Sequence, residues 1–243
     1  MILRKALGVI PVRFASTRFP GKPLAPILGK PMIQWVWEGA RQAKNIDRLV
    51  IATEDRRILA AAEAFGAESV LTSPSHASGT DRVAEAAARF DLPVVINIQG
   101  DEPLIRGADL DRLVEVLQDP GLQAASLMAR VTELPLIEDR NIVKVVTDAS
   151  GEALYFSRAA IPSGAGDFFF QHIGIYGYQR EFLLAFRGLP PSRLEKAERL
   201  EQLRILESGA RIKMVEIERP TLSVDSPQDI IKVEAFLEER AHG

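Results

Sequence analysis

Between Val9 and Leu24 the chain reads VIPVRFASTRFPGKPL, which gathers Arg13, Arg18 and Lys22 with Ser16, Thr17 and Gly21. Residues of these types at this density suit a polyphosphate. Backbone N–H groups of a turn can wrap phosphate oxygens, Arg and Lys neutralise charge, and Gly21 permits close approach. Neither GxxxxGK[ST] nor GxGxxG is present, so neither common phosphate fingerprint applies. A solvated basic loop stiffened by Pro20 and Pro23 accounts for the composition about as well. A second group, NIQGDEP at 97–103, places Gln99, Asp101 and Glu102 just beyond an apolar run. One or two carboxylates plus substrate phosphates and water are what Mg2+ usually takes, and Asp101 is the first ligand to expect. A turn acid or helix cap before Pro103 is the plainer alternative. In SGTDR, residues 78–82, a hydroxyl of Ser78 or Thr80 suits the start of a helix.

These groups need a scaffold that presents strand ends. Ala6 to Val12, Leu49 to Thr53 and Val94 to Ile98 are short apolar runs, and between them Pro31–Ala43 and Asp55–Phe65 carry apolar side chains at three- and four-residue intervals. That alternation predicts βαβ units around a parallel sheet, which binds ligands beyond the carboxyl ends of its strands. After Asp101 a helix is predicted at Arg106–Leu117. Strands follow at Ala124–Val131, Ile142–Thr147, Ala153–Ser157, Ile173–Tyr178 and Arg211–Ile217, with helices at Arg193–Glu207 and Pro227–Glu239. Fewer helices between strands imply a mixed sheet with some antiparallel edges. The class is therefore α/β, Rossmann-like and three-layered, with a mostly parallel mixed sheet. No linker longer than SGAGD at 163–167 divides the chain, so residues 1–243 read as one domain with halves at about 1–105 and 106–243.

Composition narrows the function. Thirty basic and 33 acidic residues give a net charge of −3, which lacks the basic field of a nucleic-acid binder. No apolar run nears the roughly 20 residues that span a bilayer, so no membrane partner is expected. Cysteine is absent, which removes disulfides and thiolate chemistry and agrees with a cytoplasmic setting.

In the second half, Arg158 follows an aromatic strand, and its guanidinium fork suits a carboxylate, although a surface ion pair explains it as well. His172 and Tyr176, four apart on an extended strand, share a face. Glu201 and Gln202 lie on an amphipathic helix, where ordinary surface polarity is enough to explain them. Asp225 precedes Ser226-Pro227 and could cap the last helix.

The run RFASTRFPGKPL resembles the first-strand loop of the cytidylyltransferases and related sugar nucleotidyltransferases, RxxSxRxPGKxL, and NIQGDEP and SGTDR resemble their VQGDEP and SGT[DE]R motifs. ALYFSRAAI, HIGIYGY, LEKAERLEQLRIL and VDSP resemble, in order, blocks of the CMP-Kdo synthetases, so the likeness runs from about Val9 to Asp229. It implies CTP as donor and 3-deoxy-manno-octulosonate (Kdo) as acceptor, giving CMP-Kdo and diphosphate for lipopolysaccharide biosynthesis. An 8-amino-Kdo or a nonulosonic acid is the alternative acceptor. By the same resemblance Arg13, Ser16, Arg18 and Lys22 bind the phosphates, with Arg13 and Lys22 catalytic. Ser78 and Arg82 approach the base or ribose, and Gln99 lies beside nucleotide or sugar. Arg158, His172, Tyr176, Glu201 and Gln202 surround the sugar. Asp101 and Asp225 hold Mg2+ and are catalytic through it, and the enzyme is a homodimer. Val12, Phe14 and Phe19 depart from the alanine, tyrosine and leucine frequent in the motif.

Overall fold

The computed structural model describes residues 4–15, 19–164 and 166–242. Two compact units divide the chain, one made of Arg4–Asp111 with 221–242, the other of Arg112–Pro220.

The first unit opens with β1 (Ala6–Pro11), a small antiparallel pair β2 (Pro26–Ile27) and β3 (Lys30–Pro31), and helix α1 (Met32–Ala40). It continues through β4 (Arg48–Thr53), α2 (Arg56–Ala64), β5 (Glu68–Leu71), α3 (Gly79–Ala87), β6 (Val94–Asn97) and α4 (Gly107–Val116), within which the division falls. The strands pair in parallel in the order β6-β1-β4-β5. All six residues of β1 and all four of β6 are buried, as an apolar run covered on both faces requires. Helix α1 turns Met32, Ile33, Val36, Trp37 and Ala40 inward, a stripe with helical spacing. Each fully buried Ile, Val or Met of such a stripe contributes roughly 1.5–3 kcal/mol relative to exposure. The chain proceeds from β1 to β4 and β5 on one side and reaches β6 on the other, so the strand order reverses between β1 and β6. Loops leaving the carboxyl ends of these two strands diverge there and leave a crevice.

The second unit contains β7 (Ala124–Val131), β8 (Lys144–Thr147), β9 (Ala153–Ser157), β10 (Phe169–Gln179), α5 (Arg180–Phe186), α6 (Arg193–Glu198), α7 (Gln202–Glu207) and β11 (Ile212–Ile217). β11 runs parallel to β7, while β10 is antiparallel to β7 and β8, and β8 to β9, which is the mixed pairing expected. Strand β10 is longer than its apolar centre predicts and is irregular. Ile173 pairs with Leu127 but Tyr176 with Ser126, so Gly174 and Ile175 bulge out of the ladder. The Ser126 hydroxyl staples the bulge: its one proton goes to the nearer carbonyl, that of Ile175 (2.8 Å), with the Ile173 carbonyl at 3.3 Å. The helix predicted over Arg193–Glu207 is two helices. Arg199 adopts φ 58°, ψ 45° and ends α6, a left-handed cap that the sequence does not announce with glycine. The chain then returns to the first unit, where α8 (Pro227–His242) packs Val233 with Ile27, Met32 and Val224.

Candidate active site

A cavity of about 280 Å³ opens at the carboxyl ends of β1 and β6. Arg13, Lys22, Ser78, Arg82, Gln99, Asp101 and Asp225, drawn from four separate stretches of sequence, all border it. Ser16 and Arg18 lie outside the described residues.

Local structure explains how the charges meet. Gly21 sits at φ 72°, with Phe14 against the place where a side chain would start, and it turns the chain into a short 3-10 turn, Lys22–Leu24. Lys22 Nζ then donates to Asp101 Oδ2 (2.8 Å) and the Val224 carbonyl (2.8 Å), and it lies 3.9 Å from Asp225 Oδ1. The Val224 N–H donates to the Asp101 carbonyl (2.9 Å), which seats Asp225 beside Asp101. Asp225 is not the cap of α8. The Asp229 carboxylate accepts from the N–H groups of Asp225 and Ser226 and from the Ser226 hydroxyl, so Ser226 and Asp229 organise the helix start. Gly100 permits this closeness, since a Cβ there would lie 2.3 Å from Val12 Cγ1.

Glu102 points elsewhere than Asp101. It is 7% exposed, and burial, reinforced by the neighbouring Asp101 charge, pushes its carboxyl up to about 8. Its Oε2 is buried without a hydrogen-bond partner among the described residues. Among the described residues no three His, Cys, Asp or Glu side chains form a ready-made metal cage. The two carboxylates at the cavity, Asp101 and Asp225, nonetheless fit a small hard cation that takes its remaining oxygens from substrate and water.

Also at the cavity, Ser78 caps α3 through a capping box with Asp81. Arg82 is 5% exposed, bonds the Thr72 hydroxyl and pairs with Glu54 (2.7 Å); burial lowers its pKa. Both residues therefore have structural partners as well as a place at the cavity. Gln99 Nε2 donates to Asn97 Oδ1 (3.0 Å), which orients its amide.

The remaining candidates are in the second unit. Arg158 donates from Nε to the Glu198 carbonyl (3.2 Å) and from Nη1 to the Arg140 carbonyl (3.0 Å). The side edge of its fork is thereby occupied, and a carboxylate can be gripped in two-point fashion only through the Nη1/Nη2 end. His172 is 8% exposed: burial pulls its pKa down to about 3, and Nε2 lies 2.9 Å from the Ser126 hydroxyl. Its ring centroid is 5.4 Å from that of Tyr176 and 5.0 Å from that of Phe156. Four residues of extended strand would separate the two β10 residues by roughly 13 Å. The two-residue bulge makes them neighbours on one face, because two extra residues preserve the alternation. Burial, and then the Glu201 charge, raise the Tyr176 hydroxyl well above its ordinary pKa. The break at Arg199 gives Glu198 and Glu201 separate directions, and Gln202 is 5% exposed.

A family model described as cytidylyltransferase matches residues 7–213. A 3-deoxy-manno-octulosonate cytidylyltransferase of Syntrophotalea carbinolica is 50% identical over 95% of this chain and 97% of its own length. One from Solibacter usitatus is 49% identical over 95% and 93%. The chain belongs to the 3-deoxy-manno-octulosonate cytidylyltransferase family. The solved structure of a CMP:2-keto-3-deoxy-manno-octonic acid synthetase complexed with CTP is 40% identical, with a TM-score of 0.92 over 97% of this chain and 99% of that one. A cytidylyltransferase from Leptospira borgpetersenii, 15% identical with a TM-score of 0.66, shares the fold.

For a cytidylyltransferase site, two residues escaped sequence reasoning, one bordering the first-unit cavity and one holding a residue that does. Glu54 accepts the Phe14 N–H (3.3 Å) and pairs with Arg82, so it links the basic loop to α3. His76 borders the cavity while its Nε2 contacts Glu85. A carboxylate just past the end of β4 is a faint signal for Glu54; nothing in the spacing singles out His76.

Proposed function

We propose that this chain transfers CMP from CTP to the anomeric hydroxyl of 3-deoxy-D-manno-octulosonate and releases diphosphate. The observation that carries the reading is the cluster of Lys22, Asp101 and Asp225 at the β1/β6 crevice. The names of the relatives and the CTP held by a similar structure support it.

The anomeric hydroxyl oxygen attacks the α-phosphorus as its proton passes to solvent, a new P–O bond forms, and the bond to the diphosphate oxygen breaks with its electron pair leaving on diphosphate. Arg13 and Lys22, with Ser16 and Arg18, neutralise the charge that grows on the departing group. Lys22 is presented at the cavity wall by two carboxylates and a carbonyl, so its ammonium is placed before substrate arrives. Asp101 and Asp225 would hold Mg2+, which when bound polarises the α-phosphate and lowers the pKa of the attacking hydroxyl. Ser78, Arg82 and Gln99 contact the nucleoside side. Arg158 grips the sugar carboxylate end-on, and Tyr176, Glu201 and Gln202, with His172 behind them, are assigned to its hydroxyls. On this reading the chain works as one nucleotidyltransferase domain in a cytoplasmic homodimer serving lipopolysaccharide biosynthesis. No helix among the described residues is long and apolar enough to cross a membrane.

The test is incubation of purified protein with Mg2+, each of the four nucleoside triphosphates and each of Kdo, 8-amino-Kdo and a nonulosonic acid. Diphosphate release together with a CMP-Kdo mass is expected for CTP with Kdo. Turnover confined to another acid or another nucleotide would refute the assignment.

A further inference from the structure

Lys144 is 0% exposed, yet among the described residues its ammonium is held by carbonyls and not by a carboxylate in direct contact. Its ammonium donates to three backbone carbonyls, those of Asp139 (3.0 Å), Ile142 (2.7 Å) and Arg158 (2.8 Å). An ammonium has three N–H donors, so this one is saturated. Burying a charge is costly unless its hydrogen bonds are met, and an apolar side chain would fill the space without that cost. What the cation adds is a tie between two segments.

Both segments bear on one guanidinium. Asp139 and Ile142 flank Arg140, whose carbonyl receives Arg158 Nη1, and the third carbonyl is that of Arg158 itself. Glu198 holds the same residue from the other side. Its Oε2 accepts the Arg158 N–H (2.9 Å), its Oε1 accepts the Ser157 hydroxyl (2.7 Å), and its carbonyl accepts Arg158 Nε (3.2 Å). The backbone N–H, the backbone carbonyl, Nε and one Nη1 hydrogen of Arg158 are therefore all engaged, and the second Nη1 hydrogen with the two on Nη2 remain for a ligand.

We propose that Lys144 and Glu198 are positioning residues that fix Arg158, backbone and guanidinium together, in the orientation from which it takes the carboxylate of the acid sugar. The inference rests on the reading of Arg158 as the grip on that carboxylate. A fork fixed beforehand loses little freedom on binding, so its partners contribute to sugar affinity without touching the sugar.

The test uses Lys144→Met, Glu198→Gln and Arg158→Lys, with KM for Kdo, KM for CTP and kcat measured on protein whose melting temperature is recorded. Each positioning variant is expected to raise KM for Kdo by roughly tenfold or more and to leave KM for CTP unchanged. Adding Lys144→Met to Arg158→Lys should then add little. Because the chain has no cysteine, a Lys144→Cys thiol can be aminoethylated in the unfolded state and refolded, and the restored ammonium should bring KM for Kdo back. Where Lys144→Met does not fold, Glu198→Gln and this rescue carry the test. An unchanged KM for Kdo in the folded positioning variants, or equal rises for both substrates, overturns the inference while Arg158→Lys still raises KM for Kdo. If Arg158→Lys itself leaves KM for Kdo unchanged, the reading of Arg158 falls and takes the inference with it.

Discussion

The first unit presents most of its candidate residues at the rim of a crevice, on loops that leave strand ends, whereas the second buries His172 and Gln202 and ties Arg158 to backbone carbonyls. Arg13 is exposed and Asp101 one-third exposed, while His172 is buried and Arg158 spends its Nε and one Nη1 hydrogen on carbonyls. The contrast fits two tasks. A polyphosphate with mobile counterions needs accessible charge of both signs, while a rigid acid sugar is distinguished by groups that cannot move.

The same contrast governs what the sequence makes legible. Polyphosphate chemistry follows strand ends in short contiguous runs, and the apolar strands before them mark where the crevice falls, so β1, β4 and β6 and their loops emerge from pattern alone. The second unit assembles its candidates from the end of β9, from β10 and from the start of α7, and its geometry depends on two irregularities. One is the Gly174–Ile175 bulge, which looks like continuous strand; the other is the break at Arg199, which lacks the glycine that usually marks a left-handed residue. The half-exposed edge strand β5 carries too little apolar alternation to be read, and Lys144 and Glu198 look like ordinary strand and helix charges.

The sharpest way to break the picture of the first unit is to remove its carboxylates. Asp101→Asn and Asp225→Asn should each lower kcat by roughly a hundredfold or more with the melting temperature little changed. Near-normal turnover in either would place the metal elsewhere. Lys22→Ala should lower kcat more than it raises KM for CTP, if its charge offsets that of the leaving diphosphate as proposed. A pure KM effect would make it a ground-state contact.

Packing at the crevice gives a smaller effect. Gly100→Ala pushes a methyl group against Val12, so a loss of about 1–3 kcal/mol in stability is expected, with kcat/KM for CTP falling as the β1 and β6 loops separate. Chemical denaturation that finds no loss would show that the loops yield freely.

In the second unit the buried imidazole provides a test in pH. The folded state holds His172 near 3, against an ordinary value of 6.5, so it disfavours the proton that the unfolded chain accepts. The sign is that of a depressed group: its stabilising contribution is complete above pH 6.5 and is lost as pH falls from there towards 3. His172→Gln should therefore flatten the acid side of the stability curve by up to about 1.4 kcal/mol per pH unit. Identical slopes in denaturant melts of the two proteins would mean that the ring is not buried.

The division of labour is tested most directly by steady-state kinetics of Arg158→Lys with CTP and Kdo varied in turn. The substitution keeps the charge and removes the end-on fork, a difference of about 1–3 kcal/mol, so KM for Kdo should rise roughly ten- to a hundredfold while KM for CTP stays within about twofold of wild type. A defect that appears in CTP, or Kdo kinetics equal to wild type, would contradict the account.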